Sequence, residues 1–442
     1  MTVEENHQET SRRNSDEETI AEVRQTPPPS TTTDPEKNQA SDFPDGGLSA
    51  WLVVLGAWCV SFSVFGYANA FGVYQDYYKE NQLSEYSSSD ISWIGSLQLF
   101  FIFSLGLFIG RLFDAGYLRV LMLVGTFFLV FGIMMTSLAH KYYQIVLAEG
   151  VTIGIGFGFL FIPSVSCVSH WFRRRRALAL GILATGSSTG GIVLPILLNQ
   201  CFEKPSVGFA WGVRASGFLV LGLLIIANLT LQTRLPPRKH GKMIDFSVFK
   251  DIPYFLFCLG AFFVMWGLYL PFFYSPSYIT YEGMSQNLSF YSLAILNAAS
   301  VFGRTIPNYL ADFTGPQNLL IPCVFMSGIL IYAWIAATNV GGMITFLILY
   351  GFSSGAYVSI VPACVASLTP RMNEIGLRMG MAFLFVSIAA LTGTPIMGAI
   401  IKAQGGKYWG SAICAGTMMM IGTAFLLWGR HIHVKNKGTW KA

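Results

Sequence analysis

Twelve stretches of about 20 predominantly apolar residues dominate this 442-residue chain. Six lie near 51–73, 91–113, 118–138, 142–169, 176–200 and 209–231; six more lie near 252–273, 289–311, 318–338, 341–368, 376–400 and 407–429. Each is long enough for a helix to cross the hydrocarbon core of a bilayer. Inside lipid the backbone must satisfy its own N–H and C=O groups, so helices are the structure such runs can adopt. Only 12% of the residues are charged, against about 25% in soluble domains, which rules out an ordinary soluble fold. The expected fold is an all-α membrane protein whose twelve transmembrane helices form two pseudo-symmetric six-helix bundles, 46–231 and 252–429. A polar linker, 232–251, joins them, with a tail at 1–45 and another at 430–442.

Charge divides the chain more sharply than its net +5 suggests. Residues 1–45 carry 4 Lys/Arg and 11 Asp/Glu and contain the run Pro27 to Thr33. They lack the apolar periodicity needed to offset ordering entropy, so a disordered acidic tail is expected. It is not a secretory signal, having no apolar centre. Basic residues elsewhere follow the connecting loops. With the N-terminus cytosolic, 17 Lys/Arg outside the tail fall on the cytosolic side, including Arg111, Arg119, Arg173 to Arg176 and Arg378; six fall on the other. The positive-inside rule therefore places both termini in the cytosol, with the plasma membrane as the default. Asn287-Leu288-Ser289 then faces outward as a sequon. The seven cysteines have no metal spacing and read as buried apolar residues, with Cys201 alone in a loop.

The halves repeat. Asp114 and Asp312 end spans 2 and 8, Pro163 and Pro362 lie in spans 4 and 10, and Pro195 and Pro395 lie in spans 5 and 11. The offsets are 198, 199 and 200 residues. Duplicated halves with a central site between them are a transporter architecture.

Against this background a few polar residues stand out. Arg304 is the one Lys or Arg well inside a span. A charge there costs several kcal/mol unless it faces a partner or a wet cavity. Its guanidinium suits a carboxylate bidentately, making it the candidate anion site; the competing reading is a cation that snorkels to the surface. Glu149 is an intramembrane carboxyl suited to proton coupling. It enters from the outer side, about 10 Å from Arg304 in depth, so no direct pair is expected. Asp114, beside Arg111 in the turn after span 2, can pair with Arg111 or cap a neighbouring helix, and with Asp312 is assigned to gating. Asn69, Gln98 and Asn297 are amides deep in spans that need partners. With Tyr67, Trp266 and Tyr269 they are expected to shape the substrate pocket. Gly154-Ile155-Gly156-Phe157-Gly158 lacks the flanking strand of a nucleotide loop and reads as helix packing. With no nucleophile arrangement and no phosphate loop, neither an enzyme nor an ATP-driven pump is expected. Nor is any metal, cofactor or nucleic-acid partner. A monomer in the lipid bilayer is the expected working unit.

Three motifs carry a resemblance. Pro44-Asp45-Gly46-Gly47 with Ala50-Trp51 resembles the opening signature of monocarboxylate transporters. His170 to Ser187, an aromatic and basic run leading into a Gly- and Ala-rich helix, resembles their second signature. Gly303 to Asp312 is similar to the fungal branch. The resemblance covers spans 1 to 8 and implies a member of the major facilitator superfamily. It also implies that Arg304 matches the family's substrate-binding arginine in span 8. The family's acidic partner one turn earlier is Ser300 here, and its span 1 lysine aligns with Asn69. Two of the three charged elements of proton–lactate symport are therefore absent. The expected function is a secondary active transporter that moves a small organic anion or amphiphilic secondary metabolite by alternating access. Efflux of a biosynthetic product leads; import of a monocarboxylate or vitamin with protons, or a non-transporting nutrient sensor on the same fold, are the alternatives.

Overall fold

The computed structural model describes residues 45–172, 175–204, 206–234, 245–370 and 375–440. The acidic segment up to Pro44, Arg173 and Arg174 of the basic run, and positions 235–244 of the linker lie outside them. Among the described residues the chain forms twelve long helices: α1 Leu48–Glu80, α2 Ser88–Asp114, α3 Leu118–Thr136, α4 Tyr142–Trp171, α5 Arg176–Phe202 and α6 Gly208–Thr230. The second half gives α7 Ile252–Tyr281, α8 Gln286–Thr314, α9 Pro316–Trp334, α10 Val340–Ser367, α11 Ile375–Ala403 and α12 Trp409–Lys437. A short 3₁₀ turn, Phe246–Lys250, leads into α7. This is the expected all-helical plan of two six-helix halves. Eleven of the twelve are long and apolar enough to cross a membrane. The twelfth is α8, interrupted by Asn297, Ser300, Arg304 and Asn308. The least apolar span is the one that carries the candidate site.

Several ends differ from the sequence expectation. The first helix runs on to Glu80, seven residues past 73, and Cys201 lies in the last turn of α5 rather than in a loop. The last helix continues to Lys437, well past 429, with Arg430, His431 and Lys435 on its final turns. Helical hydrogen bonding does not stop where apolarity stops, so hydropathy marks the membrane-embedded part and not the helix end.

Four helices are broken, α2 at Leu105 among them, and the breaks in α1 and α7 are related by the repeat. The first has a π-turn at Phe62–Gly66 and a kink at Ala70; α7 kinks at Tyr269, between Ile252–Leu268 and Leu270–Tyr281. Ala70 and Tyr269 stand 199 residues apart, the offset already set by the prolines. Pro271 helps explain the second kink, since it lacks the N–H that would close a turn. The carbonyl of Leu268 at this kink is taken by the Tyr350 hydroxyl of α10 at 2.6 Å. In α4 a π-turn at Val146–Thr152 leaves the Glu149 carbonyl to the Gln98 amide of α2, at 3.1 Å. Backbone groups freed inside lipid need such substitutes.

Small residues set the closest crossings. A Cβ on Gly66 would stand 2.6 Å from Gly190 Cα, so α1 and α5 touch backbone to backbone. A Cβ on Gly303 would stand 2.0 Å from the Phe352 carbonyl, and one on Gly351 2.1 Å from that of Leu296, which locks α8 to α10. Gly154 and Gly158 press on α2 and Gly156 on α3, the packing role expected of that glycine run.

Candidate functional site

The halves meet along two seams, α5 against α8 and α2 against α11. On the first seam a polar stripe of α8 lies on a stripe of small residues of α5. Asn297 Nδ2 donates to the Gly191 carbonyl at 3.2 Å, and the Ser300 and Ser188 hydroxyls are 3.0 Å apart. Arg304 Nη1 donates to the Ala184 carbonyl at 3.4 Å, and Gly181 packs under Asn308. Last, the Asp312 carboxylate accepts from the backbone N–H groups of Ala177 and Leu178. The α5 numbers fall as the α8 numbers rise, as antiparallel neighbours require. Spacings of three and four residues keep each stripe on one helix face.

Arg304 is the centre of this ladder. Its side chain is 3% exposed, and its Nε donates to Ser300 Oγ at 3.0 Å. The Tyr269 hydroxyl, at the kink of α7, is its electrostatic neighbour. Among the described residues no acidic side chain pairs with it. The guanidinium does not snorkel to the surface; it is held in the interior by neutral oxygens. Removing an ion from water without a counter-charge costs several kcal/mol even after relaxation, so the hydrogen bonds to Ser300 and Ala184 are what hold the guanidinium there. Ser300 and Asn69 both have partners. Ser300 braces Arg304, and Asn69 Nδ2 donates to Asn297 Oδ1 at 3.2 Å across the halves.

The remaining candidates fall into separate groups. Glu149 is fully buried inside the first half, where Tyr78 donates to Oε2 at 2.5 Å and Gln98 Nε2 lies 3.5 Å from Oε1. Tyr67 pairs with Tyr74, hydroxyl to hydroxyl, at 2.6 Å beside this cluster. Gln98 and Tyr67 thus serve the Glu149 cluster and do not meet Arg304. Trp266 donates to Thr392 of α11 at 2.9 Å, within the second half. Asn69, Asn297 and Tyr269 are the expected residues that the structure brings to the Arg304 region, and Arg304 and Glu149 form no pair, as expected.

Contacts join the halves at both ends of the interface. At the end that carries Leu48 and Thr314, Asp312 caps the start of α5, and the Asp114 carboxylate lies against Gly376 in the first turn of α11. The two aspartates repeat one another across the pseudo-twofold, each at the positive end of a helix of the opposite half. Among the described residues Arg111 makes no ion pair with Asp114. At the other end Ser277 donates to Asp76 Oδ1 at 2.6 Å, Ser89 to the Pro395 carbonyl at 2.8 Å, and Ser96 and Thr394 share a hydrogen bond. Asp76 was invisible to the span count, which ended the first helix at 73.

Twelve long helices in two repeated halves, joined at both ends and with a cation buried between them, form the architecture of a secondary membrane transporter. The Major Facilitator Superfamily model matches residues 47–331. Curated relatives include MFS transporter asaE of Aspergillus flavus, 42% identical over 89% of this chain and 89% of its own length. The Aspyridones efflux protein apdF of Emericella nidulans is 42% identical over 91% of this chain and 82% of its own. The Fujikurins efflux protein of Gibberella fujikuroi is 42% identical over 89% and 85%. Among solved structures FucP, in the outward conformation, covers 86% of this chain and 99% of its own, with a TM-score of 0.58 at 16% identity, a likeness of fold. The chain belongs to the Major Facilitator Superfamily and is a multi-pass secondary transporter.

Proposed function

We propose that this transporter exports a small organic acid, in the class of amphiphilic secondary metabolites, across the plasma membrane, with both termini cytosolic. The observation that carries the reading is Arg304, buried in the seam between the halves, whose partners among the described residues are all neutral. A cation so placed binds an anion when the seam opens and releases it when the seam closes behind. The outward direction is supported by the names of the aspyridones and fujikurins efflux proteins, each 42% identical to this chain. Asp114 and Asp312 act as the inner latches and Asp76 with Ser277 as the outer one. Glu149, with hydroxyl and amide partners that suit either protonation state, is the proposed proton-coupling residue. The motifs favour the monocarboxylate-porter-like branch, stripped of the charges of lactate symport.

The test is substrate-loaded vesicles. Acids that accumulate inside a deletion strain are loaded, and efflux is compared between wild type and Arg304→Gln. Loss of acid efflux supports the reading; accumulation of neutral compounds alone, with efflux indifferent to Arg304, contradicts it.

A further inference from the structure

The two seams share a backbone plan and differ in chemistry. Ala184, whose carbonyl accepts from Arg304, has its repeat partner 199 positions on at Phe383 of α11. Arg304 has its partner 199 positions back at Leu105, where α2 breaks between Ser88–Ser104 and Gly106–Asp114. At the depth where the first seam holds a cation, the second holds phenylalanine rings. Phe103 of α2 and Phe383 of α11 meet across the halves with centroids 5.3 Å apart. Phe161 of α4 lies 6.4 Å from Phe383, and Phe65, on the π-turn of α1, is 4.8 Å from Phe161 and 6.0 Å from Phe103. All four rings are 4–8% exposed. Three come from one half and one from the other, so opening the interface separates Phe383 from its neighbours and bares apolar ring surface.

Resting on the reading of Arg304 as an anion anchor, we propose that the Phe65, Phe103, Phe161 and Phe383 cluster is the apolar subsite. The substrate is then an acid with a sizeable planar or aromatic body: the anionic group lies on the α5/α8 seam and the body replaces the Phe103–Phe383 contact. Ring faces and edges favour a planar guest, because aromatic pairs prefer offset or edge-on contact. A small hydrophilic acid would reach the cation and leave the rings exposed to water, which burial disfavours.

The experiment uses the full chain in lipid nanodiscs with benzoate, 2-naphthoate and anthracene-2-carboxylate as probes, subtracting partition into empty nanodiscs. In wild type, binding is expected to tighten severalfold with each added ring. Phe103→Ala and Phe383→Ala flatten that dependence, while Phe383→Leu, which keeps apolar bulk and controls for folding, retains part of it. Arg304→Gln weakens all three acids alike and preserves the dependence on ring number. Equal affinity for the three acids in wild type, an undiminished dependence in both alanine variants, or no binding at all would overturn the subsite. If Arg304→Gln leaves every affinity unchanged while the alanine variants flatten the series, the anion anchor falls and the apolar subsite stands.

Discussion

Asn69 of α1 and Asn297 of α8 hydrogen-bond across the two halves, Nδ2 to Oδ1 at 3.2 Å, next to the kink at Ala70. Asn297 also donates to the carbonyls of Gly191 and Leu293, at 3.2 and 2.8 Å. One amide therefore ties together α1, α5 and α8 at the heart of the interface.

That asymmetry predicts unequal costs. Asn69→Ala strands Asn297 Oδ1 alone and is expected to cost about 1 kcal/mol; Asn297→Ala strands both the Gly191 carbonyl and the Asn69 amide, for about 2–3 kcal/mol. Thermal unfolding of the purified variants measures both. Equal losses would mean that Asn297 is not the shared partner.

Gly303 is fixed by geometry. A methyl group there would lie 2.0 Å from the Phe352 carbonyl, a backbone atom that cannot swing away, whereas a Cβ at Gly222 meets nothing within 4 Å. Gly303→Ala is expected to destabilise by about 3 kcal/mol or more, and Gly222→Ala by little. Yield of folded protein and melting temperature separate the two; a normal Gly303→Ala protein would refute the close α8–α10 crossing.

Hydropathy made the span count legible, and residue spacing revealed the repeat, because a bilayer imposes length and duplication leaves fixed offsets. Arg304 was legible for the same reason: a cation in an apolar run has few innocent explanations. The partners of the candidates were not legible. Gln98 looked like a pocket amide, yet its amide N–H₂ serves a carbonyl freed by the π-turn of α4, and a single inserted residue leaves no mark in an apolar sequence. Asp76 escaped because polarity rises before the helix ends. Pairing across the halves, as in Asp312 with Ala177 and Leu178, depends on which helices adjoin, and one sequence without relatives does not encode that openly.

The proposed inner latches set an aspartate against a helix end, a contact worth about 1 kcal/mol. Asp312→Asn is expected to raise the ratio of inward-open to closed protein roughly fivefold, and Asp114→Asn to act in the same direction on the other seam, with the two effects adding. Spin-label distances across the α5/α8 end report the populations. A double variant no more open than either single one would show that the seams do not contribute independently.

The outer latch should act oppositely. Ser277→Ala removes the hydroxyl that donates to Asp76 and leaves a carboxyl at the seam without that partner. It is expected to shift the population toward outward-open, read by spin-label distances between the ends of α1 and α7 that carry Asp76 and Ser277. Unchanged distances would remove Asp76 from the gate.

The central claim is that Arg304 anchors an organic anion during transport. Efflux of an acidic metabolite that accumulates in a deletion strain, measured in vesicles for wild type, Arg304→Lys and Arg304→Gln, tests it most directly. A lost charge-assisted bond of about 1.5–3 kcal/mol predicts roughly 10- to 100-fold slower efflux for Arg304→Gln at limiting substrate, with Arg304→Lys between the two. Efflux in Arg304→Gln equal to wild type, with normal folding and expression, would contradict the account.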